Sequence, residues 1–299
     1  MNTTKEFKEK VTEALLRVRQ MFDGSDAMFA KQQGLSAAVF SRLKGGETER
    51  IISEAQWLNI GRRLGVTMCE RRWNIARTDV FNTIEEEVLF CAENSKARIF
   101  IDDCGIGKTF TAKYMSRNVK NCFYIDASQC KTKNKFIRLL ARTLGVDGNG
   151  TLTDVLEGIK YYLTTLPRPV VIIDEAGDME YSAFLEIKAL WNATEGVCGW
   201  YMIGADGLAA KIERGIVGRK VGFREIFSRF SEKYSKVTPV DKQERKQFYR
   251  KLIGDVLAAN TVDKELIPEI VNKCLIQVDG NIGGLRRAES LLLLMRGGI

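Results

Sequence analysis

The sequence predicts an α/β fold in which a parallel sheet is sandwiched between helices, with an all-helical segment before it and another after it. Three observations predict it. Four short apolar runs, at 97–101, 122–125, 170–173 and 200–203, recur along the middle of the chain. Helical patterns at 135–144, 152–163 and 181–194 lie between them, and such crossovers are what return a chain to the start of a parallel strand. Beyond Pro239 the strand signal stops, and helical patterns follow near 241–259, 263–278 and 283–295.

Taken in order, residues 1–66 read as short helices separated by turns. In SDAMFAKQQGLSAAVFSRLKGG (25–46), Ser25 caps one helix, Gly34 supplies a turn and Ser36 caps a second helix, the pattern of a helix-turn-helix. Ala30, Leu35, Val39 and Leu43 are expected to pack inward, which leaves Ser36, Ala37, Phe40, Ser41, Arg42 and Lys44 facing out. That face is poor in amides able to read base edges, so contacts to DNA phosphates through Arg42 and Lys44 are expected, with little sequence preference. A small protein-docking domain is the alternative. The polar stretch 67–83, with Arg71, Arg72 and Arg77, reads as a linker, and a helix is expected from Ile84. The expected domains are therefore 1–66, the linker 67–83, a core 84–239 and a helical domain 240–299.

Composition narrows the chemistry. Of the 299 residues, 45% are hydrophobic and 28% charged, as in soluble globular proteins. No apolar stretch approaches the roughly 18 residues that span a bilayer. The N-terminal residues lack the apolar centre of a signal peptide, so a cytoplasmic protein is expected. There is no histidine, and the seven cysteines form no CxxC pair. Histidine-based nucleophiles are thereby excluded, and the cysteine spacing gives no sign of a structural zinc site. Lys and Arg exceed Asp and Glu by 46 − 38 = 8. Residues 206–251 hold 13 basic and 6 acidic residues, so 13 − 6 = 7 of that excess lies there. Such a block suits a polyanion or a solvated helix surface, and composition leaves both open.

The motifs carry more. In IFIDDCGIGKTFTAKYM, GIGKT follows a strand and opens a helix. Backbone N–H groups from Cys104, Gly105, Ile106, Gly107, Lys108, Thr109 and Phe110 can then converge on phosphates at a helix N-terminus. Lys108 reaches the β- and γ-phosphates of ATP, and the Thr109 hydroxyl binds Mg²⁺. The pattern GxxxxGKT asks for glycine at 102, where this chain has Asp102; its carboxyl either faces the phosphates or turns away. Sixty-six residues after Lys108, PVVIIDEAGDM ends a buried strand on Asp174 and Glu175. With that strand beside the P-loop strand, Asp174 would hold the Mg²⁺ and Glu175 would polarise the attacking water.

With GIGKT, VVIIDEA and IFSRFSEKY in this order, the chain resembles the AAA+ ATPases, and among them the Mu B-like transposition ATPases. The resemblance implies a P-loop AAA+ core, a helical lid after Pro239, and a homo-oligomer, as ring or helical filament, bound to DNA and to a transposase. It implies that Arg229 of FSRF is an arginine finger given to a neighbouring subunit, with its guanidinium free to point outward. It also implies that Arg286 of NIGGLRRAE contacts nucleotide from the lid. The family places a polar sensor just after the glycine ending the fourth strand; here Ala205 and then Asp206 follow Gly204, and Asp206 is the candidate. Lys131, Lys133 and Lys135 form one basic segment of the core. A second runs from Lys211 to Arg224, a glycine-rich loop carrying Arg214, Arg219, Lys220 and Arg224. Both would line a channel around DNA. A helicase loader or replication initiator shares every nucleotide motif, and an ATP-responsive transcription regulator with a helix-turn-helix is a third reading.

Overall fold

In the computed structural model, residues 3–22, 24–66, 73–276 and 282–296 are described. Helices α1 (Lys5–Gln20), α2 (Asp26–Gln32), α3 (Ala37–Lys44) and α4 (Glu54–Leu64) come first. Each starts on a hydroxyl cap: Thr4, Ser25, Ser36 and Ser53 accept from the N–H groups of Phe7, Met28, Val39 and Gln56, which satisfies donors the first turn leaves orphaned. Gly34 turns between α2 and α3 at φ 69°. Val11, Leu15, Phe29, Leu43 and Trp57 form the buried centre of this unit, and Ala30 and Leu35 are buried with them. Phe40 corrects an expectation. It is buried, edge-on to Phe29 with ring centroids 5.2 Å apart, while Val39 is only partly covered. Positions 40 and 43 share a helix face at i, i+3, and α2 packs on that face.

The linker is shorter than expected. Arg71 and Arg72 lie outside the described residues, but Thr78 already caps α5 (Asp79–Asn94), so the helix begins five residues before Ile84. Arg77 is paired with Glu85 at 2.5 Å. The core then runs β1 (Ala97–Ile101), α6 (Lys108–Asn118), β2 (Cys122–Asp126), α7 (Lys133–Leu144), α8 (Leu152–Thr165), β3 (Val170–Asp174), α9 (Tyr181–Ala193) and β4 (Gly199–Gly204). It continues through α10 (Asp206–Val217), α11 (Phe223–Arg229) and β5 (Tyr234–Ser235), and α12 (Lys242–Asn260), α13 (Leu266–Leu275) and α14 (Leu285–Arg296) follow.

The strands form one sheet in the order β2-β3-β4-β1-β5, and every neighbouring pair is parallel. Successive side chains of a strand point to opposite faces, and the two faces have separate cores. Ile99, Val171, Ile173, Trp200 and Met202 pack under α7 to α11. Phe100, Val170, Ile172, Tyr201 and Ile203 pack under α5, α6 and the C-terminal helices. Both faces are apolar, which explains why the strands read as continuous apolar runs.

Two further expectations are corrected here. The strand carrying Asp174 is not beside the P-loop strand, because β4 lies between β3 and β1. Parallel pairing still brings the C-terminal ends of all three strands to one edge. The segment 211–224 is not a glycine-rich loop: Arg214 is on α10 and Arg224 on α11, with only residues 218–222 between them. Its glycines serve packing. A Cβ on Gly215 would lie 2.3 Å from the Phe223 ring, so glycine there lets α10 and α11 close on each other. The N-terminal unit touches the core through Gln32, whose side-chain amide donates to the Leu144 carbonyl at 3.1 Å. Among the described residues no helix is long and apolar enough to cross a membrane.

Candidate active site

A cleft of about 290 Å³ opens at the C-terminal edge of the sheet. Its floor is the turn between β1 and α6, from Cys104 to Phe110, and Glu175, Ala205 and Arg286 also line it. Gly105 and Gly107 adopt φ 74° and 103°, values that side chains other than glycine rarely tolerate, and this curls the loop under the N-terminus of α6. Sequence reasoning placed Cys104, Gly105, Ile106, Gly107, Lys108, Thr109, Phe110 and Arg286 at one site, and the fold brings all of them to this cleft. Phe110 is exposed at its mouth.

Lys108 reaches back over the loop. Its ammonium donates to the backbone carbonyls of Asp102 and Asp103, each at 2.6 Å. Burial lowers its pKa, and the nearby Cys104, Asp102, Glu175 and Asp174 oppose that shift. The carbonyls occupy an ammonium that a triphosphate would otherwise attract.

The two acids ending β3 differ in environment. Asp174 is 2% exposed. One of its carboxyl oxygens accepts from the Tyr124 hydroxyl at 3.0 Å and the other from the Glu175 N–H at 3.0 Å. The parallel register sets Tyr124 on β2 close to this strand end. Glu175 is exposed and held at φ 52°, a left-handed conformation uncommon away from glycine and frequent where geometry is imposed by function. Burial and then Asp174 raise the Glu175 pKa, while Lys108 lowers it. Thr109 and Asp174 supply only oxygen donors. Mg²⁺ prefers such donors, takes one or two from protein and the rest from phosphates and water, so this pair fits that ion.

Asp102 answers the question its place in the motif raised. Its carboxyl is fully buried and turned away from the cleft, accepting from the N–H groups of Val237 and Thr238 at 2.8 and 2.9 Å and of Asp103 at 2.8 Å. Asp103 faces α12, where its Oδ2 accepts from Arg245 at 2.5 Å and from the Tyr249 hydroxyl at 2.7 Å. Further along the loop, the Gly105 carbonyl accepts the Leu285 N–H at 2.7 Å. Gly284 sits so close that a Cβ there would be 2.7 Å from the Gly105 oxygen. The helices after Pro239 are thus seated directly on the loop.

Six sequence-predicted positions sit differently. Asp206 opens α10 and is exposed, and its neighbour Ala205 is the one that lines the cleft; an acid in a first helical turn is favoured by the helix dipole. The Arg229 guanidinium is not free: it donates to the Asn192 side chain at 2.7 Å and the Glu225 carbonyl at 2.9 Å, and lies 5.2 Å from the centre of the Trp191 ring. Four of the cations expected to meet DNA are ion-paired. Arg42 pairs with Glu47, Lys44 with Asp26, Lys131 with Asp178 and Lys133 with Glu186. Lys135, Arg214, Arg219, Lys220 and Arg224 are exposed and make no ion pair among the described residues.

Sequence reasoning missed one wall of the cleft. Trp73, Asn74, Ala76, Thr78 and Phe81 line it, from the stretch read as a linker. The Trp73 indole N–H donates to Glu289 of α14 at 3.0 Å. Asn74 is clasped to α12, its side chain donating to the Ala259 carbonyl and its N–H to Asn260. The tryptophan and the other apolar residues of that stretch, Ile75, Val80 and Phe81, were the available signal. Tyr124, equally missed, had none.

Residues 101–212 match the model of the AAA domain family, and the architecture is the P-loop AAA+ fold: a parallel sheet sandwiched by helices, with helical regions on either side. That match covers less than half of the chain. No curated protein sequence matches it significantly. Three solved structures are similar. A DNA replication initiation factor is 12% identical over 77% of this chain and 66% of its own, with TM-score 0.46. NtrX of Brucella abortus, in complex with ATP, is 14% identical over 89% of this chain and 61% of its own, with TM-score 0.47. The RuvB Holliday junction branch migration motor of Thermotoga maritima is 12% identical over 74% and 70%, with TM-score 0.32. The chain spans about two thirds or less of the first two.

Proposed function

We propose that this protein binds ATP with Mg²⁺ in the cleft, hydrolyses it slowly, and uses the cycle to assemble and disassemble on DNA. One observation carries the reading: the GIGKT loop, Glu175 of β3's end, the Trp73 strap and Arg286 of α14 face one another across a single cleft. Lys108 would exchange the two carbonyls for the β- and γ-phosphates. Bound Mg²⁺ supplies positive charge against the charge that builds on the phosphates. Thr109 and Asp174 would hold it, with Tyr124 orienting the Asp174 carboxyl. Glu175 would accept a proton from the attacking water, and its raised pKa strengthens it as a base. Arg286 approaches from the same chain. Arg229 would serve a neighbouring subunit's γ-phosphate after leaving Trp191 and Asn192.

For DNA, the exposed cations of α10, α11 and the loop between them, with Lys135, form the primary surface, and the motif resemblance extends the reading to a transposition ATPase that recruits a transposase. Exposed ion pairs are worth only about 0–1 kcal/mol, so phosphates could also displace the partners of Lys131, Lys133, Arg42 and Lys44. The limits 1–66 and 240–299 are retained for the outer domains, the core begins with α5 at Asp79, and the strap around Trp73 belongs to the nucleotide site.

The test combines nucleotide titration with electron microscopy on DNA. Wild-type protein should bind a slowly hydrolysed ATP analogue and coat DNA continuously in its presence, while Lys108→Ala should do neither. Unchanged affinity in Lys108→Ala would refute the pocket, and a single defined footprint would favour a sequence-specific regulator.

A further inference from the structure

The loop that carries GIGKT is joined to the C-terminal helices through Asp102 and Asp103, the two residues at its entrance. Asp102 stands where the motif asks for glycine, and it is fully buried. Its Oδ2 accepts from both Val237 and Thr238, the residues that lead from β5 into α12. Asp103 holds Arg245 and Tyr249 on α12 itself. The backbone carbonyls of these same two residues hold Lys108. Each acid therefore has its carbonyl on the phosphate-binding lysine, while the Asp102 carboxyl holds the segment that leads into the lid and the Asp103 carboxyl holds the lid's first helix.

We propose that Asp102 and Asp103 are positioning residues that transmit occupancy of the P-loop to α12. The inference rests on the nucleotide reading of the cleft. A triphosphate competes for the Lys108 ammonium and draws it off the two carbonyls. Those peptide units, no longer held by a cation, settle in a new position, and the side chains they carry move Val237, Thr238, Arg245 and Tyr249 with them. The buried carboxyl of Asp102 cannot let go cheaply, because Val237 and Thr238 would then lose their acceptor inside the protein. A glycine at 102 would bind phosphate equally well and transmit nothing by this path.

Hydrogen exchange on the full chain tests this, read over residues 237–249 with and without a saturating, slowly hydrolysed ATP analogue. In the wild type the exchange of this segment should change roughly fivefold or more on nucleotide binding, the scale of an ordinary coupling between sites. Asp102→Gly and Asp103→Ala should bind the analogue and lose that response, and Asp103→Asn, which keeps an acceptor, should restore part of it. Tyr249→Phe deletes only a hydroxyl and keeps the test open if the acid variants fail to fold; its response should be reduced. A wild type that does not bind the analogue overturns the nucleotide reading and the inference with it. A wild type that binds with no change over 237–249, or folded variants with an undiminished response, overturns the coupling alone.

Discussion

Glu175 and Asp174 are neighbours in sequence, yet the fold gives them different surroundings. Asp174 is buried with both oxygens engaged, and Glu175 stands exposed at the cleft in a left-handed conformation. Replacing Glu175 with Gln preserves size and removes the proposed base. Nucleotide should still bind while hydrolysis falls by roughly 10²-fold or more, and normal turnover in the variant would remove Glu175 from the mechanism. The pH profile adds a second check. Glu175 has its pKa raised from 4.5, so it keeps its proton at a higher pH than an ordinary glutamate. Hydrolysis should therefore be lost, as pH falls, at a point above 4.5, and this acid limb should be absent from the residual rate of Glu175→Gln. At position 102 the sequence posed an alternative and burial resolved it. The carboxyl faces the segment leading into α12, where the N–H groups of Val237 and Thr238 converge on one of its oxygens.

At the level of elements, the seat of α14 on the P-loop depends on a glycine with no unusual backbone angle. Gly284 is required for space. Its Cβ would press on backbone, at 2.7 Å from the Gly105 oxygen and 3.1 Å from its carbonyl carbon, and backbone cannot swing aside like a side chain. Gly284→Ala should cost about 1–3 kcal/mol of stability, the usual range for overpacking, and should weaken nucleotide binding by lifting Arg286 from the cleft. Thermal denaturation and titration together check it. An Ala variant as stable and as tight as the wild type would mean that α14 does not rest on the loop. The strap around Trp73 teaches a similar lesson, since a stretch with linker composition forms a wall of the cleft once α12 and α14 hold it.

Across the whole molecule, charge and assembly are the open quantities. If the exposed cations of α11 and of the connection before it meet phosphates, neutralising Arg219, Lys220 and Arg224 together should weaken binding to unrelated DNA sequences alike and flatten its salt dependence, since each phosphate contact contributes a slope of about −0.9 in log K against log salt. Loss restricted to one sequence would contradict that surface. In the proposed reading assembly turns on Arg229, now held by Trp191, Asn192 and Glu225. Arg229→Ala should bind nucleotide yet lose nucleotide-dependent oligomerisation and DNA-stimulated hydrolysis. Mixing it with Lys108→Ala should restore part of the hydrolysis, because one variant keeps an intact P-loop and the other an intact arginine. A mixed assembly no more active than its components would count against action between subunits.

The parallel strands, the P-loop, the acid pair and the helices beyond Pro239 are legible without the fold, because each is local. A strand buried on both faces must be a continuous apolar run, and GIGKT needs only the strand and helix that flank it. Helix caps such as Ser25 and Ser36 are legible for the same reason. What the tertiary structure decided depends on residues far apart in the chain. The insertion of β4 between β3 and β1, the inward turn of Phe40, and the meeting of Tyr124 with Asp174 follow from packing that no single segment contains. So do the stowed guanidinium of Arg229 and the hold of Asp102 on Val237 and Thr238, 135 and 136 residues away. A buried carboxyl must find donors wherever the fold brings them, and only the folded chain says where that is.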